Sequence, residues 1–412
     1  MGLRIVAMLF IALFVSLVFC LALPRLATPV VGVKVELGNE ADMRSPRVRR
    51  DAGLIRFGSG NWSGVTNANR YGVIVASAAN ANSAGAQPGR ALMYACGIDM
   101  PADRTSALCG VSFAYAASKD WILRDANGSY VHYKGHYPVL VDIGNPAYQR
   151  RFIRDIDADL RTHAGVDGVL IDDVTGSLIS ISSKYRDNAS YRSAMLAFIK
   201  AVGPALKARG WYVAVNAAIL DADAESFTGQ SYDGTQYIWW VRQISPYVSG
   251  ITMERWQQNW DTTGSVRTSG TAGNQAWDAW ERLPSVVASV GKDFDAIETD
   301  ALDDTGKAAY LRASFLLAWQ RGRGAFFYTD DYAGKGDPWR LAATPNIGRP
   351  VGPRRRIGVG FRRTFTSGIV VVNPSPSESQ TFGFQRKYLL PEGTTTISVT
   401  LPPTSGLVLR RG

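Results

Sequence analysis

Acidic residues recur in this chain at the ends of short apolar runs, where a side chain is free to reach a reactant. The clearest case is Gly168-Val-Leu-Ile-Asp172-Asp173. Asp142 closes Val-Leu-Val-Asp, Asn216 closes Tyr212–Asn216, and Glu254 closes Gly-Ile-Thr-Met-Glu. Glu298 closes Phe294–Glu298 with Asp300 two residues on, and Asp330-Asp331 follow Gly324–Tyr328. Crowding carboxylates at one rim raises the pKa of at least one of them, which is how a general acid is made at neutral pH. The chemistry that needs such an acid beside a second carboxylate is cleavage of a glycosidic bond. One group protonates the leaving oxygen, and the other attacks the anomeric carbon or activates water.

Successive strand residues face opposite sides, so only one of Asp172 and Asp173 can point into a common site. Asp172, the first polar residue after an apolar strand, is expected as nucleophile or base. Glu254 is expected as the acid. Asp142, Asp173, Asn216, Glu298 and Asp300 are candidates for holding substrate, each with a structural alternative as a cap or an ion-pair partner. Flat sugar faces stack on exposed rings. Among Trp239, Trp240, Trp256, Trp260, Trp277 and Trp280, the residues just past Glu254, Trp256 and Trp260, are the expected platform.

Other chemistries leave weaker traces. His132-Tyr-Lys-Gly-His136 has the spacing of two metal ligands on one helical turn, and with Asp172-Asp173 it admits a metal-dependent polysaccharide deacetylase. Gly135 and Pro138 oppose a helix there, and the order of the motifs is reversed relative to deacetylases. No Gly-x-Ser-x-Gly elbow and no Gly-rich phosphate loop with Lys occurs. Neither a metal nor a cofactor is expected. A carbohydrate-binding or envelope protein on a degenerate barrel is the non-catalytic alternative. Zinc-finger spacing and RNP patterns are missing, which argues against a nucleic-acid partner.

The elements that must position these residues follow a rhythm. Strand candidates are Leu54–Phe57, Ala91–Cys96, Val139–Ile143, Gly168–Asp172, Tyr212–Asn216, Gly250–Glu254, Phe294–Glu298 and Gly324–Tyr328. Helical spacing of apolar residues appears over Tyr148–His163, Tyr191–Arg209 and Lys307–Arg321. Asn145-Pro146 reads as a cap with Pro at the first helical position. Eight strands with intervening helices predict an α/β fold, a (β/α)₈ barrel over residues 53–345. Strand counting makes Gly168–Asp172 the fourth strand and Gly250–Glu254 the sixth, across the mouth from it. The long, aromatic-rich connection Pro101–Tyr137 should shape a cleft. Residues 350–412, with short strands between Pro, Gly and Ser turns, read as a small β-sandwich-like domain.

The flanks bear on location. Ile5 to Pro24 carries no charge and follows Arg4, the pattern of a signal peptide or signal anchor over residues 1–24, with 25–52 as a linker. The protein is therefore expected outside the cytoplasm, secreted or anchored to the membrane. In an oxidising compartment Cys96 and Cys109 could close a short disulfide loop. The net charge is +10, and residues 347–412 carry ten Lys and Arg against two Glu. That basic end could touch an anionic envelope or simply be a solvated face.

The stretch Val141-Asp-Ile-Gly-Asn-Pro-Ala-Tyr-Gln149, followed by Val166-Asp-Gly-Val-Leu-Ile-Asp-Asp-Val174, resembles glycoside-hydrolase TIM-barrel families. The nearest resemblance is to glycosyl-hydrolase-like family fifteen. A more distant one is to endo-α-1,4-polygalactosaminidases, which carry a similar Asp-Gly strand ending in Asp. The resemblance implies a catalytic carboxylate at Asp172 and a polysaccharide or oligosaccharide substrate, and it covers residues 53–345. Val370-Val-Val-Asn-Pro-Ser and Val399-Thr-Leu-Pro-Pro-Thr-Ser-Gly look like the small β-domain that often follows glycosidase barrels.

Overall fold

The computed structural model describes residues 53–57, 71–87, 89–100, 110–133, 138–217, 234–258, 265–270, 276–299, 305–320, 323–329 and 345–412. The expected signal segment and linker, Cys109, His136, Trp260, Asp300 and Asp330-Asp331 lie outside them. None of the described helices is long and apolar enough to cross a membrane.

Eight parallel strands close into a barrel. They are β1 (Gly53–Phe57), β2 (Tyr71–Ala76), β3 (Arg90–Cys96), β6 (Gly168–Asp172), β7 (Tyr212–Asn216), β8 (Gly250–Glu254), β9 (Asp293–Thr299) and β10 (Ala325–Thr329). Neighbours pair in that order, and β10 returns to β1. Alternation along each strand fills the interior with Val73, Val75, Leu92, Leu170, Ala214, Ile297, Ala325 and Phe327. The opposite faces, with Val169, Ile171, Val213, Val215, Ile251 and Met253, join the larger core under the helices. Gly168 is required in its place, because a Cβ there would lie 1.9 Å from the Tyr212 carbonyl oxygen.

One expected strand is replaced by another. Val139–Ile143 is not a barrel stave. Its first two residues form β5 (Val139–Leu140), which pairs antiparallel with β4 (Asp99–Met100) in a separate small sheet. The missing stave is β2, an apolar run with no acid or amide at its end. The substitution leaves Asp172 on the fourth barrel strand, so the expected position of the acid survives.

The helices form where capping and spacing place them. Pro146–Thr162 starts at Asn145, whose Oδ1 accepts from Ala147 N at 2.9 Å, and it buries Tyr148, Phe152, Ile153, Ile156 and Leu160. Asn188–Lys207 starts at Asp187, which accepts from Ser190 N at 2.7 Å. Thr305–Ala318 is buried along most of its length.

The C-terminal residues form a six-stranded antiparallel sheet of β11 (Arg355–Ile357), β12 (Gly360–Phe365), β13 (Gly368–Asn373), β14 (Gln380–Leu389), β15 (Thr395–Leu401) and β16 (Ser405–Arg411). The strand order is β11-β12-β13-β16-β14-β15. Val370 and Val372 on one face join the barrel's outer core. On the other, Ile369 and Leu409 pack with Tyr388, and Val371 packs with Phe382 and Leu401. Gly406 lets β16 approach helix Thr305–Ala318, since a Cβ there would meet Ala313 Cβ at 2.8 Å.

Candidate active site

Asp172 of β6, Asn216 of β7 and Glu254 of β8 end their strands facing the barrel interior, and Tyr94 of β3, the register partner of Leu170, reaches up to them. They sit above the apolar plug of Leu170, Ala214, Ile297 and Phe327. Asp172 and Glu254 are each the last residue of a strand whose preceding residues are all buried, and each is itself partly exposed. The residues that follow them, Asp173 (φ 56°) and Arg255 (φ 50°), are both in the left-handed region, uncommon for residues other than glycine. At both strand ends the chain therefore turns sharply just after the carboxylate. Such strain concentrates at functional sites.

Asn216 joins the two acids. Its Nδ2 donates to Asp172 Oδ1 at 2.8 Å and to Glu254 Oε1 at 3.0 Å. Asp172 is held from two further sides: Asp173 N donates to Oδ1 at 2.8 Å, and the Tyr94 hydroxyl donates to Oδ2. Cys96 lies on the same inward face of β3, with its Sγ 3.7 Å from the Tyr94 hydroxyl. The expected partner in a disulfide, Cys109, is outside the described residues.

Asp173 turns to the other side of the strand end. The Tyr133 hydroxyl donates to its Oδ1 at 3.3 Å. Burial first, then the charge of Asp172, and then Asp99 and Glu254, push its pKa well above the ordinary carboxylate range. Asp99, also buried and beside Asp172, is pushed up to about 6. The crowding of acids expected from the sequence is thus present, but it is expressed at Asp173 and Asp99.

Three expected site residues lie elsewhere. Asp142 is buried, pairs with Lys184 and accepts from the Tyr185 hydroxyl at 2.5 Å, so it ties down the turn before helix Pro146–Thr162. Glu298 alternates with inward-facing Ile297 and therefore points to the helical layer. It is fully buried, accepts from Gln257 N at 2.8 Å, and burial pushes it up to about 8. Trp256 is no platform: it is 0% exposed, donates to the Trp280 carbonyl at 2.7 Å and packs edge-on against Phe294 and Phe315. Trp277, Trp280 and Trp240 are buried as well. His132, expected in a helical metal motif, lies instead on an extended segment bridged to Val139. Tyr94, Asp99 and Tyr133 are the site residues that the sequence did not single out. Only Tyr94 carries a legible signal, the inward period of Leu92, Tyr94 and Cys96 along β3.

The profile of hypothetical glycosyl hydrolase family 15 matches residues 100–369, about two thirds of the chain and all of β6 to β10. The chain belongs to this family. Its fold is similar to that of several solved structures at low identity. Aspergillus fumigatus Ega3, in complex with galactosamine, is 10% identical with a TM-score of 0.43, over 72% of this chain and 98% of that one. An alpha-amylase from Malbranchea cinnamomea is 9% identical with a TM-score of 0.47, over 88% and 96% of the two chains. A cycloalternan-degrading enzyme from Trueperella pyogenes, in complex with cycloalternan, is 10% identical with a TM-score of 0.43, over 87% and 60%. No curated protein matches the chain. Membership makes this glycosyl hydrolase an enzyme of glycosidic-bond cleavage, and the Asn216-linked acids are its candidate catalytic groups.

Proposed function

We propose that the chain is an exported hydrolase that cleaves a polysaccharide with retention of anomeric configuration, through Asp172 as nucleophile and Glu254 as acid and base. The spacing of the two carboxylates carries this reading. One amide nitrogen lies 2.8 Å from an oxygen of one acid and 3.0 Å from an oxygen of the other. The two oxygens can be no further apart than those distances laid end to end. That bound on the nearest oxygens favours the close spacing of retaining pairs, roughly 5–5.5 Å between carboxyl groups, over the roughly 6.5–9.5 Å that leaves room for water in inversion.

In the first step Glu254 gives its proton to the glycosidic oxygen as that bond breaks. Asp172 Oδ attacks the anomeric carbon, forming a glycosyl ester and releasing the alcohol. In the second, Glu254 takes a proton from water, the hydroxide attacks the same carbon, and Asp172 leaves as carboxylate. Tyr94 and Asn216 hold the Asp172 oxygens in place for both steps. Tyr133 and Asp173 line the adjoining side, where hydroxyl groups of a bound sugar would find partners.

Polymeric substrate and export rest on separate features. The aromatic-rich connection after β4 brings Tyr133 to Asp173. The apolar stretch 1–24 supports secretion or anchoring. Exposed Arg355, Arg356, Arg386, Arg410 and Arg411 on the C-terminal sheet would favour contact with an anionic envelope.

The test is release of reducing ends from a panel of bacterial exopolysaccharides and α-glucans by the purified protein and two variants. On the polymer that is cleaved, Asp172→Asn and Glu254→Gln are each expected to lose at least about a thousandfold in rate while still binding it. Wild-type rates in both variants would refute the assignment.

A further inference from the structure

Beneath the acid layer lies a row of polar atoms that the reaction has not used. Asn216 is the register partner of Thr252, and Thr252 is the register partner of Asp295, on three adjacent strands. Register partners in a parallel sheet face the same side, so all three enter the barrel interior with Asp172 and Glu254. Each is 1% exposed. Asn216 Oδ1, Thr252 Oγ1 and both carboxyl oxygens of Asp295 have no hydrogen-bond partner among the described residues. Leaving one such buried atom unsatisfied costs about 1–3 kcal/mol, so four in a row demand a shared solution. None of these atoms is hydrogen-bonded to another directly, and strands about 4.8 Å apart leave room for one ordered water between neighbours.

Donor and acceptor chemistry fixes the direction of that solution. Asn216 commits its nitrogen to the two carboxylates, so its Oδ1 faces the row and can only accept. Thr252 must then donate to it, and the Thr252 oxygen is left to accept. Asp295, last in the row, is a donor toward Thr252 as a carboxylic acid. Its surroundings agree. Burial foremost, then neighbouring Asp293, push Asp295 up to about 7, against the pull of Arg90 and the Ala325 N–H. Arg90 is itself engaged by Asp293 at 2.8 Å, and the Tyr212 hydroxyl donates to the same Asp293 oxygen at 2.8 Å.

We infer that Asp295 and Thr252 form a buried hydrogen-bond relay that fixes the Asn216 amide with its nitrogen toward Asp172 and Glu254. Both are therefore positioning residues of the catalytic pair. The inference rests on the proposed roles of those two acids. A flipped Asn216 would aim its carbonyl at the Asp172 carboxylate, and the relay disfavours that state by presenting a donor to the lower side of the amide.

Neutron diffraction from a deuterium-exchanged crystal of the full chain near pH 5.5 tests the relay without any substrate. The expected map has deuterium on the Asp295 carboxyl and on Thr252, the latter aimed toward Asn216 Oδ1 through one ordered water, with the Asn216 ND₂ toward the acids. An ionised Asp295, a flipped amide, or a metal ion among the three residues overturns it. A kinetic arm uses the polymer that wild type cleaves and Asp172→Asn does not. Thr252→Val should lose about tenfold in kcat with KM unchanged, Thr252→Ser should restore it, and Asp295→Asn, which keeps a donor, should retain it. An undiminished kcat in Thr252→Val overturns the relay alone, whereas undiminished cleavage by Asp172→Asn and Glu254→Gln overturns the glycosidase reading and leaves the neutron result standing.

Discussion

Asn216 is the residue on which the site turns. Its amide hydrogen-bonds to two carboxylates at once, and bonds to charged groups contribute about 1.5–3 kcal/mol each. Asn216→Ala should therefore lower kcat by about 10- to 100-fold, measured on the cleaved polymer. Asn216→Asp should do worse, because it sets a third acid between the first two. Glu298 illustrates the opposite fate of a rim acid, one turned into the helical layer. Its folded pKa is raised from the usual 4.5 to about 8 by burial. A carboxyl raised on folding stabilises fully below its unfolded value, and that stability is lost as pH rises through the folded value. The melting temperature of Glu298→Gln should pull ahead of wild type from about pH 4.5 and level off near pH 8. A constant difference across that range would show that Glu298 is ionised in the fold.

At the scale of elements, the strands that end in Asp172 and Glu254 were legible because the residue types and the period agree. Gly168-Val-Leu-Ile and Gly250-Ile-Thr-Met are buried on both faces, as a stave between plug and helices must be. Val139–Ile143 has the same look and is no stave, because apolar runs of this length do not specify which sheet they join. Tyr71–Ala76 is a stave that no acid or amide marks at its end. Trp256 was read as a platform from its place in the sequence, but burying an indole against Phe294 and Phe315 outweighs exposing it, once its N–H finds the Trp280 carbonyl. Asn216 was legible as a strand end; its bridging role was not, since it depends on the reach of two side chains from neighbouring strands. One element-scale contact carries a stability prediction. Arg363 of β12 donates to the carbonyls of Leu316, Leu317 and Trp319 at 3.2, 2.8 and 2.6 Å, and to Gly352 at 2.9 Å. It satisfies the C-terminal end of helix Thr305–Ala318 from the neighbouring sheet. Arg363→Ala should cost about 3 kcal/mol, read from the midpoint of urea unfolding. An unchanged midpoint would mean that water replaces the guanidinium without loss.

At the scale of the molecule, the barrel carries an ion-paired cluster at one end and the candidate acid pair at the other. In that cluster, Arg90 and Arg323 lie 2.8 and 3.8 Å from Asp293, and Arg90 stacks over the Tyr212 ring at 3.8 Å. Along β9 the inward side chains are then Asp295 and the plug residue Ile297, and the strand ends carry Asn216 and the two acids. Fold class and the place of Asp172 and Glu254 at strand ends could be read from the chain, because a barrel gathers its strand ends at one rim. The distance between the acids, and with it the stereochemistry, could not, because it depends on side-chain rotamers. The measurement that tests the central claim most directly is proton NMR of the first sugar released from the cleaved polymer, before mutarotation. An Asn216-linked pair predicts that the new reducing end keeps the anomeric configuration of the bond broken. An inverted first product would contradict it.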